Sequence, residues 1–192
     1  MGAVLAGGLG RRLGGDKAVA RLAGRPLIAF PLAAMGAVVT DVTIVAKPDT
    51  ALPPPDALGA VRVLREPAEP RHPLVGILHA LRAGEGRPVL VCPADLPLVT
   101  AAVLAELASA DPRGAPAVVA IGPGRGLQPL LGCYRPEAAG LLAAAAREAR
   151  APVRAVVAAI GPREVTVPAE VLFNVNTAED LARAEELVAS RR

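Results

Sequence analysis

With 192 residues, 53% of them hydrophobic and only 2% aromatic, the chain is long enough for one domain whose core is built from Leu, Val, Ile and Ala. It has no Trp, and its formal net charge of +3 comes without a run of basic residues, which argues against base stacking on single-stranded nucleic acid and against a charged nucleic-acid stripe. Cys92 and Cys133 lack CxxC spacing and the apolar start, Met1 to Ala6, is short, so a soluble protein of the reducing cytoplasm, with no membrane partner, is expected.

In chain order, short apolar runs alternate with helix-compatible stretches. Residues 2–6, 42–46, 61–64, 88–92 and 115–121 read as strands, several of them apolar on both faces. Residues 26–37 and 73–84 read as helices that open near a proline, with Pro31 bending the first. Thr100 is the expected N-cap of a helix over 100–110, and Thr177 with Asp180 gives a capping-box signal for one over 177–192. The Pro-rich stretch 47–59 reads as a surface connection. Residues 122–168 break the rhythm, with a turn into an extended segment followed by Ala-rich helices, and suggest an excursion over a site. This alternation predicts an α/β fold, a mostly parallel, Rossmann-like sheet with helices on both faces, in a single domain over residues 1–192.

The segment LAGGLGRRLGGDKA, residues 5–18, directly follows the first strand, where parallel sheets place their ligands. A P-loop is not formed, because Asp16 separates Gly15 from Lys17 and Ala18 replaces the hydroxyl residue. The dinucleotide fingerprint fails as well, since Leu13 occupies the third glycine position. What remains is an extended loop whose amides wrap a nucleotide while Arg12 and Lys17 neutralise its phosphates. Only Lys17 and Lys47 are lysine against 19 arginines, so a lysine retained in this loop carries weight. His72 and His79 have no third partner at metal-ligand spacing and read as loop and helix-surface residues.

The loop resembles the LAGGxSxRMGxDK signature of the MobA-like nucleotidyltransferases, and more closely the molybdenum cofactor guanylyltransferases. Five further blocks are similar in the same order: GRPLI (24–28), HPLVGI (72–77), PADLPLV (93–99), QPLLGCY (128–134) and FNVNTAEDL (173–181). Gly10, Leu13 and His72 depart from the pattern, the last in a loop expected near the base. The resemblance implies a three-layer α/β/α sandwich of the nucleotide-diphospho-sugar transferase type. It also implies transfer of GMP from GTP to the phosphate of molybdopterin, with or without molybdenum, and release of pyrophosphate.

Such a reaction needs positioning and charge neutralisation more than covalent help. The resemblance assigns the nucleotide to Leu5, Ala6, Gly7, Gly8, Lys17, Lys47, Glu66 and Asp95, with Arg12, Lys17 and Asp95 as the catalytic set. Glu66 would accept hydrogen bonds from guanine. Mg²⁺ would be held by Asp95 and Asn176, because this ion takes few carboxylates and completes its shell with phosphates and water. Asn174, Asn176 and Gln128 would meet the acceptor. Transient contacts with other cofactor-biosynthesis proteins are implied too. Alternatives left open are a cytidylyltransferase, a sugar-phosphate or phospholactate acceptor, and a non-catalytic nucleotide-binding subunit.

Overall fold

The computed structural model describes residues 1–7, 17–59, 61–148 and 152–190. The chain opens with strand β1 (Gly2–Leu5), and after a 3-10 turn at Lys17–Val19 come two short strands, β2 (Arg21–Leu22) and β3 (Arg25–Pro26). These two form a small antiparallel hairpin outside the main sheet. Its turn residues Ala23 and Gly24 have φ of 48° and 79°, the left-handed pair that a two-residue hairpin demands. Then follow α1 (Ala29–Gly36), β4 (Val42–Ala46), α2 (Pro55–Leu58), β5 (Arg62–Arg65), α3 (Pro73–Ala83), β6 (Val89–Pro93) and α4 (Ala101–Ser109). The last part contributes β7 (Ala117–Gly122), β8 (Gly126–Tyr134), α5 (Ala138–Glu148), α6 (Val153–Ala159), β9 (Arg163–Thr166) and α7 (Ala178–Ala189).

Seven strands form one sheet in the order β5-β4-β1-β6-β8-β7-β9. All neighbours pair in parallel except β8, which runs antiparallel to both β6 and β7. The period-2 alternation of strand side chains sorts the core onto two faces. Val4, Ile44 and Cys92 pack with Met35 of α1 and Leu104 of α4. Ala3, Val45 and Val91 pack on the other face with Ile77 of α3, Leu142 of α5 and Val157 of α6. This is the expected three-layer α/β/α arrangement. Among the described residues no helix is long and apolar enough to cross a membrane.

Three expectations need correcting. The helix expected over 26–37 is shorter, because Arg25–Pro26 belongs to the hairpin; Pro31 falls in the first turn of α1, where its missing N–H costs nothing and it need not bend the helix. The connection at 47–59 contains the one-turn helix α2. Residues 122–168 are no excursion over a site: β8 threads between β6 and β7, and α5 and α6 cover the sheet face shared with α3.

A third apolar cluster lies off the sheet. Leu22 and Leu27 of the hairpin region pack with Val175 and Ala184, and both phenylalanines of the chain, Phe30 and Phe173, join them. It ties α7 and the segment before it to the stretch that follows Lys17.

Candidate active site

Strand β1 ends at Leu5, and the chain leaves the sheet at its carboxyl edge. Ala6 N–H donates to Val45 C=O at 2.8 Å and Leu5 C=O accepts from Ala94 N–H at 2.9 Å. The sheet ladder therefore already uses Ala6's donor, which corrects the expectation that amides from Leu5 onward are presented to a ligand. Leu5 contributes its side chain instead, and Gly7 is the first residue clear of the ladder. Gly8 and Arg12 lie outside the described residues.

Lys17 is the centre of one polar cluster. Its Nζ donates to Asp95 Oδ2 at 2.5 Å, to Asn176 Oδ1 at 2.7 Å and to Asn174 Oδ1 at 3.2 Å. Asp95 is delivered by the turn after β6, and its own backbone C=O accepts from Val175 N–H at 3.0 Å, which fixes the asparagine segment against it. Thr177 and Asp180 form the capping box of α7, and the same Asp180 carboxylate accepts from Asn176 N–H at 2.9 Å. These backbone donors hold the Asp180 carboxyl below the usual carboxylate range. A helix start readable in the sequence thus orients Asn176. The chain has no asparagines other than these two, and both face Lys17. Asp95 Oδ1 is buried and has no hydrogen-bond partner among the described residues.

The second cluster surrounds Lys47 and Glu66, which are 2% and 5% exposed. Lys47 Nζ donates to Pro67 C=O at 2.6 Å and Pro70 C=O at 3.0 Å, and stands 3.7 Å from Glu66 Oε1. Lys47 is thus held by the loop after β5. Glu66 Oε2 is buried without a partner, and burial raises the Glu66 carboxyl above its ordinary value against the lowering pull of Lys47. Glycines flank the carboxylate: a Cβ at Gly7 would lie a tight 3.0 Å from Glu66 Oε1, whereas one at Gly76 would lie 3.6 Å from Oε2, in ordinary contact. His72 caps α3, accepting from Leu74 N–H through Nδ1 at 3.3 Å, with Pro73 in the first turn where its lost donor is harmless.

A cavity of about 310 Å³ joins the two clusters; Gly7, Lys47, Glu66, His72 and Gly76 line it, and Asp95 stands in its wall. Its size suits a small-molecule site. A smaller recess of about 30 Å³ between Ala6, Ala18, Lys17 and Asp95 adjoins it. Of the residues singled out from the sequence, Leu5, Ala6, Gly7, Lys17, Lys47, Glu66, Asp95, Asn174 and Asn176 meet here. Gln128 does not line either cavity: its amide donates to Gly126 C=O at 2.9 Å in the turn entering β8. That strand lies inside the sheet, between β6 and β7. His72 was read as a plain loop residue; a polar side chain directly before a helix-starting proline was the signal for a cap.

Residues 2–167 match the MobA-like NTP transferase domain. The chain belongs to this family. It is 41% identical to a molybdenum cofactor guanylyltransferase of Cereibacter sphaeroides, covering 97% of this chain and 96% of the relative. A probable molybdenum cofactor guanylyltransferase of Deinococcus radiodurans is 34% identical, over 94% and 91%. Among solved structures, a molybdopterin-guanine dinucleotide biosynthesis protein A from Archaeoglobus fulgidus is similar with a TM-score of 0.74 at 25% identity, over 98% of both chains. A 2-C-methyl-D-erythritol 4-phosphate cytidylyltransferase from Thermus thermophilus shares the fold, with a TM-score of 0.65 at 22% identity over 98% of both chains.

Proposed function

We propose that this MobA-like chain acts, as one domain, as a molybdenum cofactor guanylyltransferase. A phosphate oxygen of molybdopterin, with or without bound molybdenum, attacks the α-phosphorus of GTP. The new P–O bond forms as the bond to the β-phosphate breaks, and pyrophosphate leaves. The observation that carries this reading is that Asp95 belongs both to the Lys17 cluster and to the wall of the Lys47–Glu66 cavity. A base seated beside Glu66 then has its phosphates within reach of the cationic end.

The roles follow from charge and position. Glu66 Oε2, a buried acceptor without a partner, suits the N1 and N2 donors of guanine, and Lys47 favours its ionised form against the opposing effect of burial. Gly7 and Gly8 bring bare backbone to the nucleotide. Lys17 and Arg12 offset charge that builds on the phosphates in the transition state, and Asn174 and Asn176 orient the acceptor phosphate. The unpartnered Oδ1 of Asp95 and the amide oxygens of Asn174 and Asn176 form a hard donor set that fits Mg²⁺. When bound, this ion would neutralise the triphosphate and draw electron density from it. Gln128 is left without a role in this scheme. The proposed setting is the cytoplasm, in keeping with two free cysteines, of which Cys92 is buried in the sheet.

The test is direct. Purified protein supplied with Mg²⁺, GTP and molybdopterin should release pyrophosphate, and no release with a pterin that a known guanylyltransferase converts would overturn the reading.

A further inference from the structure

We infer that His72 is a specificity-determining residue that donates a hydrogen bond to O6 of guanine, completing with Glu66 a two-point reading of the base edge. The inference rests on the proposed guanylyl reading of the same cavity. Its argument begins with the helix cap. His72 Nδ1 accepts from Leu74 N–H at 3.3 Å, so that nitrogen is unprotonated and the ring carries its proton on Nε2. The cap thus fixes the imidazole as an N–H donor at its far end. That nitrogen makes no hydrogen bond among the described residues, and His72 lines the cavity together with Glu66.

Glu66 is a group that only accepts, and its Oε2 is unsatisfied and buried. One cavity therefore presents an acceptor-only carboxylate and an imidazole donor. Guanine offers the complementary edge: N1–H and N2–H₂ donate to a carboxylate, while O6 accepts from an N–H. Adenine and cytosine instead present an amino donor where guanine has O6, and a ring-nitrogen acceptor where it has N1–H. Against them, His72 would confront a donor and Glu66 an acceptor. Buried polar groups left unpaired in this way are the strongest source of discrimination available to a rigid pocket. Lys47 reinforces the arrangement from behind, since its hydrogen bonds to Pro67 and Pro70 fix the loop that runs from Glu66 towards His72.

Calorimetric titration without acceptor substrate tests this on the whole chain, with GTP, 2-aminopurine riboside triphosphate, ITP and CTP as probes. The 2-aminopurine analogue lacks both O6 and the N1 proton, and ITP lacks the N2 amino group. Wild type should bind GTP more than tenfold more tightly than the 2-aminopurine analogue, which forfeits one hydrogen bond to His72 and another to Glu66; the His72 share is about five- to tenfold, the worth of one neutral hydrogen bond. His72→Gly, a substitution that helix N-caps tolerate, should lose that factor for GTP and leave the analogue unchanged. His72→Asp keeps a capping acceptor but cannot donate, and should weaken GTP further while its melting temperature stays near wild type. Glu66→Gln should narrow the gap between GTP and ITP, a readout independent of His72. Equal losses for GTP and the 2-aminopurine analogue in the His72 variants, or no loss for GTP, would overturn the role of His72 while leaving the guanylyl reading intact. Preference of wild type for CTP over GTP would overturn both.

Discussion

In the proposed scheme Lys17 and a divalent cation compete for the Asp95 carboxylate and the Asn176 amide oxygen, so removing the lysine should strengthen metal binding when no nucleotide is present. The ammonium sits 2.5 Å from Asp95 Oδ2, with side-chain exposures of 12% and 20%, and also holds both asparagine amides. A cation ligated by Asp95 and Asn176 can enter only after Nζ withdraws. Hydrogen bonds between charged groups contribute about 1.5–3 kcal/mol. Counting only the Lys17–Asp95 pair, at about 2 kcal/mol, withdrawal weakens apparent metal affinity about 30-fold. Lys17→Ala should therefore bind Mn²⁺ about 30-fold more tightly than wild type in the absence of nucleotide. Paramagnetic resonance of free Mn²⁺ during titration reads this directly, and Asp95→Asn should abolish the tight site in either background. The same Lys17→Ala protein should turn over poorly, because the ammonium that would move to the phosphates is missing. Nucleotide-free Mn²⁺ affinity in Lys17→Ala equal to or below wild type would refute the shared-oxygen argument.

Further outcomes can be checked alongside. Asp95→Asn should lower kcat at least about a hundredfold, as the loss of a preorganised charge does, with the folded circular dichroism spectrum retained. Leu27→Ala should cost about 2–4 kcal/mol in urea unfolding, since Leu27 is fully buried in the cluster that joins the hairpin to α7; it should also raise KM for the acceptor through Asn174 and Asn176. For pH, the Glu66 carboxyl is raised by burial above its ordinary 4.5. Between that value and its folded value the native state binds more protons than the unfolded one, so the contribution of Glu66 to stability is full below pH 4.5 and declines as pH rises through the folded value. The stability difference between wild type and Glu66→Gln, measured by denaturant unfolding across this range, should tilt in that direction; a flat difference would contradict it.

The parallel half of the sheet was legible because Ala3-Val4, Ile44-Val45 and Val91-Cys92 put an apolar side chain on each face in turn, and only a doubly covered strand tolerates that. The last helix was legible because Thr177 and Asp180 spell its start. The position of β8 was not, since strand sequence fixes an extended backbone and says little about direction or neighbours. The start of α1 also escaped, because Arg25-Pro26 obeys hairpin geometry set two residues earlier by Ala23-Gly24. At the site, Lys17, Asp95 and the asparagines were found through their motifs. Their mutual contact was not, for it depends on Leu22, Leu27, Phe30 and Phe173 packing out of sight of any local pattern. The loop of His72 was expected near the base from its motif, but the cap it makes on α3 and its place beside Glu66 in the cavity lining were not read, since no spacing along the chain encodes them.

The contacts from Lys17 to the two asparagines span 157 and 159 positions. During synthesis Lys17 and most of the residues that line the larger cavity leave the ribosome long before the asparagine segment. A nascent chain halted ahead of Phe173 would carry Lys17 and Asp95 without the two amides that complete their cluster. The Lys17 cluster is therefore among the last features of the fold that synthesis can complete.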